Sequence, residues 1–193
     1  MFPHIKHVIL DRDGVLNMER IEGGYVADWS QWRWIPGAIE GLKMLSSAGV
    51  CISVATNQSG VGRGLVVRAN LDAIHARMVK EAALAGGVIS HIFVCPHLPS
   101  NGCNCRKPAS GLLLQAIKTS EVSRQATIAV GDDVRDLDAA WAADVSAALV
   151  RTGKGRRTEA IVADRCVPVF DDLRAFAAGV LSNWHPSGKL KIS

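Results

Sequence analysis

The chain has 193 residues, of which 48% are hydrophobic, and this length is sufficient for one domain with a buried core. Its formal net charge is +4, with acidic and basic residues interspersed, which suits an anionic substrate and does not indicate nucleic-acid binding. The N-terminus lacks a signal-peptide pattern, and no apolar run reaches membrane-spanning length. We expect a soluble, cytoplasmic monomer with no membrane or nucleic-acid partner.

Five short apolar runs predict strands, and segments of helical spacing separate most of them. The runs cover residues 7–10, 50–55, 91–94, 127–130 and 147–150. Between the first two runs, apolar residues at intervals of three predict a helix that Pro36 opens and Gly49 closes. This alternation predicts an α/β fold with three layers around a mostly parallel sheet, in one domain over residues 1–182. We expect residues 183–193 to form a flexible tail.

The first run ends in two carboxylates spaced by one residue, Asp11 and Asp13. Ligands of open α/β sheets bind beyond the carboxyl ends of the strands, which gives these residues weight. Two neighbouring carboxylates can divide labour, with Asp11 attacking phosphorus and Asp13 acting as acid and base. Taken alone, the motif is equally compatible with a turn or a helix cap.

The second run ends in a cluster of short hydrogen-bonding residues that Gly60 follows, and such a cluster can surround an anion. We predict that Thr56 and Asn57 hold the phosphoryl oxygens and that Gln58 and Ser59 contact the substrate. A polar loop without a ligand is the alternative.

A pair of cations, Arg106 and Lys107, follows the third run. Lys107 is a compact charge that can neutralise a phosphate and crowded carboxylates, whereas the planar fork of Arg106 suits a second anionic or hydroxyl group of the substrate. A solvated surface pair is the alternative.

The fourth run ends in Asp132, which we predict to be a ligand of Mg²⁺, since this ion prefers oxygen ligands and commonly takes one or two carboxylates. Asp133 is a candidate substrate contact, and Asp136 is a candidate to support the metal ligands. The order of the four motifs along the chain is a stronger signal than any one of them.

In this order, Asp11-x-Asp13-Gly14, Thr56, Lys107 and Gly131-Asp132 resemble the haloacid dehalogenase (HAD) superfamily of phosphatases. The resemblance covers roughly residues 7–150 and implies a Rossmann-like sheet, an aspartyl-phosphate intermediate and Mg²⁺. It also implies that Asp11 and Asp132 bind the metal through their side chains and Asp13 through its backbone carbonyl, while Thr56 and Lys107 stabilise the transferring phosphoryl group.

A cysteine-rich segment predicts a second metal site. Three thiols and one imidazole lie within eleven residues, and they suit a closed tetrahedral zinc site better than a disulfide framework. The predicted ligands are Cys95, His97, Cys103 and Cys105. Four protein ligands leave no position for water, so this zinc orders a loop insertion, and its last ligand directly precedes Arg106. A set of reduced surface thiols is the alternative.

Together, these motifs resemble the branch of the superfamily that contains D-glycero-D-manno-heptose 1,7-bisphosphate phosphatases and histidinol-phosphate phosphatases. The heptose branch implies removal of the C7 phosphate during synthesis of the lipopolysaccharide core or other heptose-containing glycans, and residues 24–26 and 56–64 favour it. Some heptose phosphatases carry a lysine where this chain has Asp133. A cation of the loop 151–157, such as Arg151 or Lys154, is a candidate to hold the retained phosphate instead of that lysine.

The same motifs leave other functions open. A histidinol-phosphate phosphatase, a broad sugar-phosphate phosphatase and a nucleotide 3′-phosphatase would share the four motifs, and a zinc-stabilised binding module without catalysis is the alternative outside the enzymes. Among the remaining residues, we expect Trp29, Trp32 and Trp34 to pack in the core, as we do Cys51 and Cys166. His75 has no motif partner and receives no catalytic role.

Overall fold

A six-stranded parallel sheet forms the centre of the molecule in the computed structural model, which describes residues 5–19 and 24–182. The strands are β1 (His7–Leu10), β2 (Cys51–Asn57), β3 (His91–Cys95), β4 (Thr127–Gly131), β5 (Ser146–Val150) and β6 (Val169–Phe170). Their order across the sheet is β3-β2-β1-β4-β5-β6. Parallel strands need crossover connections, and at least one helix separates each strand from the next.

The helices of the described residues cover both faces of this sheet. They are α1 (Ala38–Ser47), α2 (Ser59–Gly62), α3 (Arg68–Leu84), α4 (Gly111–Ser120), α5 (Val134–Ala142), α6 (Gly155–Ile161) and α7 (Leu173–Leu181). Side chains alternate along β1, so Val8 and Leu10 pack with α1, α3 and α7, whereas Ile9 packs with α4 and α5. The predicted three-layer α/β fold is confirmed, and the described residues add no large cap domain to it.

The sequence located the central strands and missed one at the edge. All five predicted strands are present, but β6 has only two half-buried residues, too few for a periodic pattern. The predicted start of α1 at Pro36 is wrong by two residues, because Gly37 adopts a left-handed φ of 85° and the helix begins at Ala38. Gly49, with a φ of 73°, follows the helix as expected.

The three tryptophans pack beside α3 and the core, as expected. Trp32 is buried, and Trp29 and Trp34 are partly buried against the same core. The rings of Trp29 and Trp32 stack with centroids 5.1 Å apart, and Trp34 meets Trp32 edge-on at the same distance. They are therefore packing residues and not a platform for a sugar.

The expectation that two further cysteines lie in the core is wrong. Cys166 is exposed because it lies in the loop between α6 and β6, and Cys51 is half-buried at the start of β2. The predicted flexible tail, 183–193, lies outside the described residues. Within the described residues, no helix is both long and apolar enough to cross a membrane.

The order of the strands determines where a ligand can bind. The chain crosses from β1 toward β2 on one side, while β4 and β5 continue on the other, so the order reverses between β1 and β4. A crevice opens beyond the carboxyl ends at such a point. The backbone N–H of Asp11 donates to the carbonyl of Val130 at 2.9 Å, which holds the end of β1 against β4.

Candidate active site

Three carboxylates converge in this crevice. Asp11 follows β1, Asp132 follows β4, and Asp136 lies in the first turn of α5, so that one oxygen of each lies within 4.8 Å of the others. Burial, reinforced by the charge of Asp136, raises the pKa of Asp11 to about 7. Burial and both neighbouring carboxylates raise the pKa of Asp132 well above its ordinary value. The folded chain thus brings together oxygen ligands that repel one another.

Lys107 compensates part of this negative charge. Its Nζ lies 2.9 Å from Asp11 Oδ1 and 2.6 Å from Asp136 Oδ1, and its side chain is only 4% exposed. Burial alone would lower the pKa of Lys107, but the two carboxylates outweigh it and hold the pKa above its ordinary value. One ammonium is too little charge to neutralise three ionised carboxylates, and a hard divalent cation such as Mg²⁺ fits this donor set.

Asn57 positions Lys107. Its side-chain Nδ2 donates to the carbonyl of Lys107 at 3.0 Å, and its Oδ1 accepts from the N–H of Lys107 at 3.1 Å. The amide of Asn57, predicted to bind phosphoryl oxygens, is therefore occupied by the backbone that carries the lysine. It ties the end of β2 to the segment after the cysteine-rich loop.

The carboxylate of Asp13 is surrounded by donors. Arg12 Nη2 lies 2.9 and 3.0 Å from its two oxygens, Asn17 Nδ2 donates to Oδ1 at 2.9 Å, and Gln58 Nε2 donates to Oδ2 at 2.7 Å. Burial would raise the pKa of Asp13, but the charge of Arg12 and these hydrogen bonds outweigh it and hold the pKa below its usual value. Gln58 Nε2 also donates to the buried hydroxyl of Thr56 at 2.8 Å.

A cleft of about 550 Å³ lies in front of these groups. It is lined by Asp11, Arg12, Asp13, Glu19, Gly24, Tyr25, Val26, Asn57, Gln58, Ser59, Arg63, Arg106, Lys107, Asp132, Asp133, Arg135, Asp136 and Lys154. Nearly every residue predicted to act on the substrate is among them. Thr56 is not, because it lies fully buried in β2.

Polar contacts organise the predicted substrate contacts in this cleft. The Ser59 hydroxyl lies 3.2 Å from the Tyr25 hydroxyl. Asp133 caps the start of α5 and accepts hydrogen bonds from Arg135, whose charge it offsets. Arg106 donates to the carbonyl of His97 at 3.3 Å and makes no ion pair with another described residue. It is therefore an available cation for an anionic group of a substrate.

The basic loop after β5 divides into two parts. Arg151 lies outside the cleft lining, and its guanidinium donates to Glu159 and Asp171 at 2.7–2.8 Å. Lys154 lines the cleft, with Nζ 2.6 Å from Glu19 Oε1. The structure thus disagrees with Arg151 as a candidate for a retained phosphate and agrees with Lys154.

The predicted zinc ligands form a compact group. Cys95 Sγ lies 3.7 Å from Cys103 Sγ, and Cys105 Sγ lies 3.5 Å from Cys103 Sγ and 3.2 Å from His97 Nδ1. A tetrahedral site with Zn–S bonds of about 2.3 Å has S···S edges of about 3.8 Å. The four donor atoms therefore have the spacing of a closed Cys₃His site.

Several residues of the site escaped the sequence analysis. Arg12 and Asn17 lie inside the first motif and donate hydrogen bonds to Asp13, but the motif indicated roles only for its two carboxylates. Both are polar residues close to the end of a predicted buried strand, and this position could have identified them. Glu19 reaches the cleft from a segment without periodicity, and no pattern in the sequence identified it, whereas Tyr25 belongs to the segment 24–26 that favoured the heptose branch.

Comparisons with known proteins agree with this site. The model of the HAD-hydrolase-like family matches residues 104–176. A relative from Pseudomonas putida, named D-glycero-beta-D-manno-heptose-1,7-bisphosphate 7-phosphatase, is 42% identical over 173 residues, which cover 90% of this chain and 98% of the relative. A relative from Mycobacterium bovis, named as the 7-phosphatase of the alpha anomer, is 38% identical over 175 residues and 90% of each chain.

A solved structure gives the same result. The D,D-heptose 1,7-bisphosphate phosphatase from B. bronchiseptica, in complex with magnesium and phosphate, superposes with a TM-score of 0.88 at 40% identity. The match covers 93% of this chain and 100% of that chain.

The parallel sheet with its acidic cluster at the carboxyl edge is that of a phosphatase of the HAD-like class. Within this class, the chain belongs to the family of D-glycero-D-manno-heptose 1,7-bisphosphate 7-phosphatases.

Proposed function

We propose that this enzyme removes the C7 phosphate of D-glycero-D-manno-heptose 1,7-bisphosphate with the help of Mg²⁺. The observation that carries the proposal is the cluster of Asp11, Asp132 and Asp136 around Lys107, with Asp13 beside it in an open cleft. This arrangement has a nucleophile, an acid and a cation at one point. The names of relatives with about 40% identity supply the substrate.

In this proposal, an oxygen of Asp11 attacks the phosphorus of the C7 phosphate while the bond to the C7 oxygen breaks. The negative charge of the bound phosphate would raise the pKa of Asp13 against the donors that hold it low, so that Asp13 carries a proton. Asp13 donates this proton to the departing oxygen, which leaves a free hydroxyl at C7 and an aspartyl-phosphate on Asp11. Asp13 then takes a proton from the water that attacks this phosphate, and inorganic phosphate and the free carboxylate of Asp11 result. General acid–base catalysis of this kind accelerates a reaction by roughly 10²–10⁴-fold.

Charge neutralisation accounts for the other groups. Lys107 offsets the charge of the transferring phosphoryl group. The buried hydroxyl of Thr56 accepts a hydrogen bond from Gln58, whose Nε2 also donates to Asp13. Mg²⁺ bound by Asp11, Asp132 and the backbone carbonyl of Asp13 would supply the positive charge that the phosphoryl oxygens require. Arg106, which makes no ion pair with another described residue, would bind the second phosphate of the substrate together with Lys154.

We infer that Cys95, His97, Cys103 and Cys105 hold a structural zinc ion that orients the segment carrying Arg106 and Lys107. The spacing of the four donor atoms supports this assignment. None of the five cysteines forms a disulfide, which favours a reducing compartment such as the cytoplasm.

The test is a comparison of kcat/KM in the presence of Mg²⁺ on four substrates: both anomers of the heptose bisphosphate, histidinol phosphate and a 3′-phosphorylated oligonucleotide. We expect the heptose bisphosphate to be preferred at least tenfold, with heptose 1-phosphate as the product seen by ³¹P NMR. The Asp11→Asn variant should fold and release no phosphate. A preference for histidinol phosphate, or normal turnover by Asp11→Asn, would refute the proposal.

A further inference from the structure

Arg12 is a buried cation that the chemistry above does not use. Its side chain is 1% exposed and is the bulkiest of the fully buried side chains. Its Nη2 holds both oxygens of Asp13, its Nη1 lies 3.1 Å from His75 Nε2, and its guanidinium carbon lies 5.8 Å from the ring centroid of Trp32. Burying a charge costs several kcal/mol unless it is well paired, so we expect the contacts of Arg12 to serve a function.

His75 acts as an acceptor in this arrangement. A guanidinium carries only donors, so the Nε2 atom of His75 that faces Arg12 is unprotonated and the proton resides on Nδ1. Burial, together with the charge of Arg12, lowers the pKa of His75 to about 4, which keeps the ring neutral at pH 7. The bond therefore joins α3 to the loop that carries Asp13.

The helix that carries His75 is itself anchored to the tryptophan segment. Arg77 lies over the ring of Trp29, with 4.8 Å between the guanidinium carbon and the centroid, and Trp34 Nε1 donates to Glu81 at 3.0 Å. The imidazole is thus carried by a helix whose following turns are anchored through Arg77 and Glu81. The guanidinium of Arg12 is held at Nη1 by His75 and at Nη2 by Asp13, and two contacts on one rigid group determine its plane.

The plane of Arg12 in turn determines the orientation of Asp13. A carboxylate that donates a proton to a departing oxygen must point at it within hydrogen-bond distance, about 2.6–3.2 Å. Asn17 and Gln58 hold one oxygen each, whereas Arg12 alone contacts both. If the guanidinium were free to turn about its own axis, it would pull on both carboxylate oxygens against the single hydrogen bonds of Asn17 and Gln58.

We propose that His75 is a positioning residue that, through Arg12, holds the carboxylate of Asp13 in the orientation required for proton transfer to the leaving oxygen. The proposal rests on the proposed function, in which Asp13 is the acid and base. The competing explanation is that the bond only stabilises the fold. A purely structural role would lower activity on all substrates alike.

The test uses the leaving group as a probe of proton transfer. A sugar alkoxide needs a proton to depart, whereas p-nitrophenolate departs without one, so loss of the acid spares p-nitrophenyl phosphate. The parameter to measure is kcat/KM, because it contains only the steps up to the formation of the aspartyl-phosphate and excludes its hydrolysis. In His75→Leu, we expect kcat/KM for the heptose bisphosphate to fall roughly 10- to 100-fold and that for p-nitrophenyl phosphate to fall less than about threefold.

His75→Gln is the matched control. Its side-chain oxygen can take the place of Nε2 as an acceptor, so kcat/KM on both substrates should stay within about threefold of the original enzyme. If His75→Leu does not fold, His75→Asn serves instead, because the shorter amide remains polar but does not reach Arg12. Equal losses on both substrates, or no loss on the heptose bisphosphate, would overturn the proposal.

Asp13→Asn separates this proposal from the proposed function. If this variant also loses activity equally on both substrates, Asp13 is not the acid and the proposed function fails at that step. If Asp13→Asn discriminates between the two leaving groups and His75→Leu does not, the proposed function stands and only the role of His75 is wrong.

Discussion

Gly153 lies against Asp132, a proposed ligand of Mg²⁺, and its replacement tests the proposed metal site directly. The residue has a φ of 55°, and a Cβ built on it would lie 2.6 Å from the Cα of Gly14 and closer still to Oδ2 of Asp132. Ordinary contact of a Cβ is 3.4–4 Å. The methyl group of Gly153→Ala would therefore push the carboxylate of Asp132 away by about 1 Å.

The size of the effect follows from two contributions. A left-handed φ costs an alanine about 1 kcal/mol relative to glycine, wherever it occurs. The displaced carboxylate adds a second cost, because Mg²⁺ requires near-octahedral geometry at 2.0–2.1 Å, and a displaced ligand of this kind lowers metal affinity roughly 10- to 100-fold. We expect the Mg²⁺ concentration for half-maximal phosphate release to rise by that factor in Gly153→Ala.

Gly49→Ala is the matched control. Gly49 has a similar φ of 73°, but nothing lies within 4 Å of a Cβ built there, and it follows α1 far from the cleft. Its free energy of unfolding should fall by the same ~1 kcal/mol, while its Mg²⁺ dependence should not change. The measurements are urea denaturation and initial rates of phosphate release over a Mg²⁺ titration. Equal Mg²⁺ dependence in the two variants would refute the reasoning.

Three further predictions concern the zinc loop, the basic loop and a buried histidine. Cys103→Ser should lower the zinc content and reduce Tm by about 10 °C, corresponding to roughly 3 kcal/mol, whereas the exposed Cys166→Ser should change neither; equal behaviour in metal analysis and thermal melts would contradict the zinc assignment. Lys154→Ala should raise KM for the heptose bisphosphate roughly tenfold, and Arg151→Ala should leave KM unchanged, since Arg151 is paired outside the cleft; the reverse pattern in steady-state kinetics would restore Arg151 as the candidate. Burial lowers the pKa of His7 to about 4, so between pH 6.5 and 4 the unfolded chain binds more protons than the folded chain. The free energy of unfolding therefore decreases as the pH is lowered, by about 2 kcal/mol at pH 5. His7→Gln should lack this component in denaturation curves at saturating zinc, and parallel pH dependences of the two proteins would contradict the prediction.

Part of the chemistry of this enzyme could be predicted from the sequence, because the carboxylates concerned follow strands. Asp11 and Asp132 each directly follow an apolar run, and parallel strands bring their carboxyl ends to one edge. The zinc ligands lie close together in the chain, so their spacing alone indicated a shared metal. Local patterns of this kind survive without knowledge of the fold.

The contacts between distant parts of the chain could not be predicted from the sequence in this way. Asn57 is 50 residues from Lys107 and His75 is 63 residues from Arg12, and a single sequence contains no periodicity that relates such positions. Both amides that the sequence assigned to the substrate, those of Asn57 and Gln58, bind protein groups instead. A short polar side chain in a loop has several possible partners, and only the packing of the loop selects one.

By itself, the sequence determined the class of fold and predicted a nucleophile and two metal sites, because these depend on residue types at strand ends and on short spacings. The tertiary structure decided which of the remaining polar residues face the cleft. It placed Lys154 in the cleft lining and Arg151 outside it, since Lys154, directly before α6, donates its backbone N–H to Asp132, whereas Arg151 pairs with Glu159 and Asp171. It also gave His75 a partner, because burial of Arg12 leaves that guanidinium no water to bind.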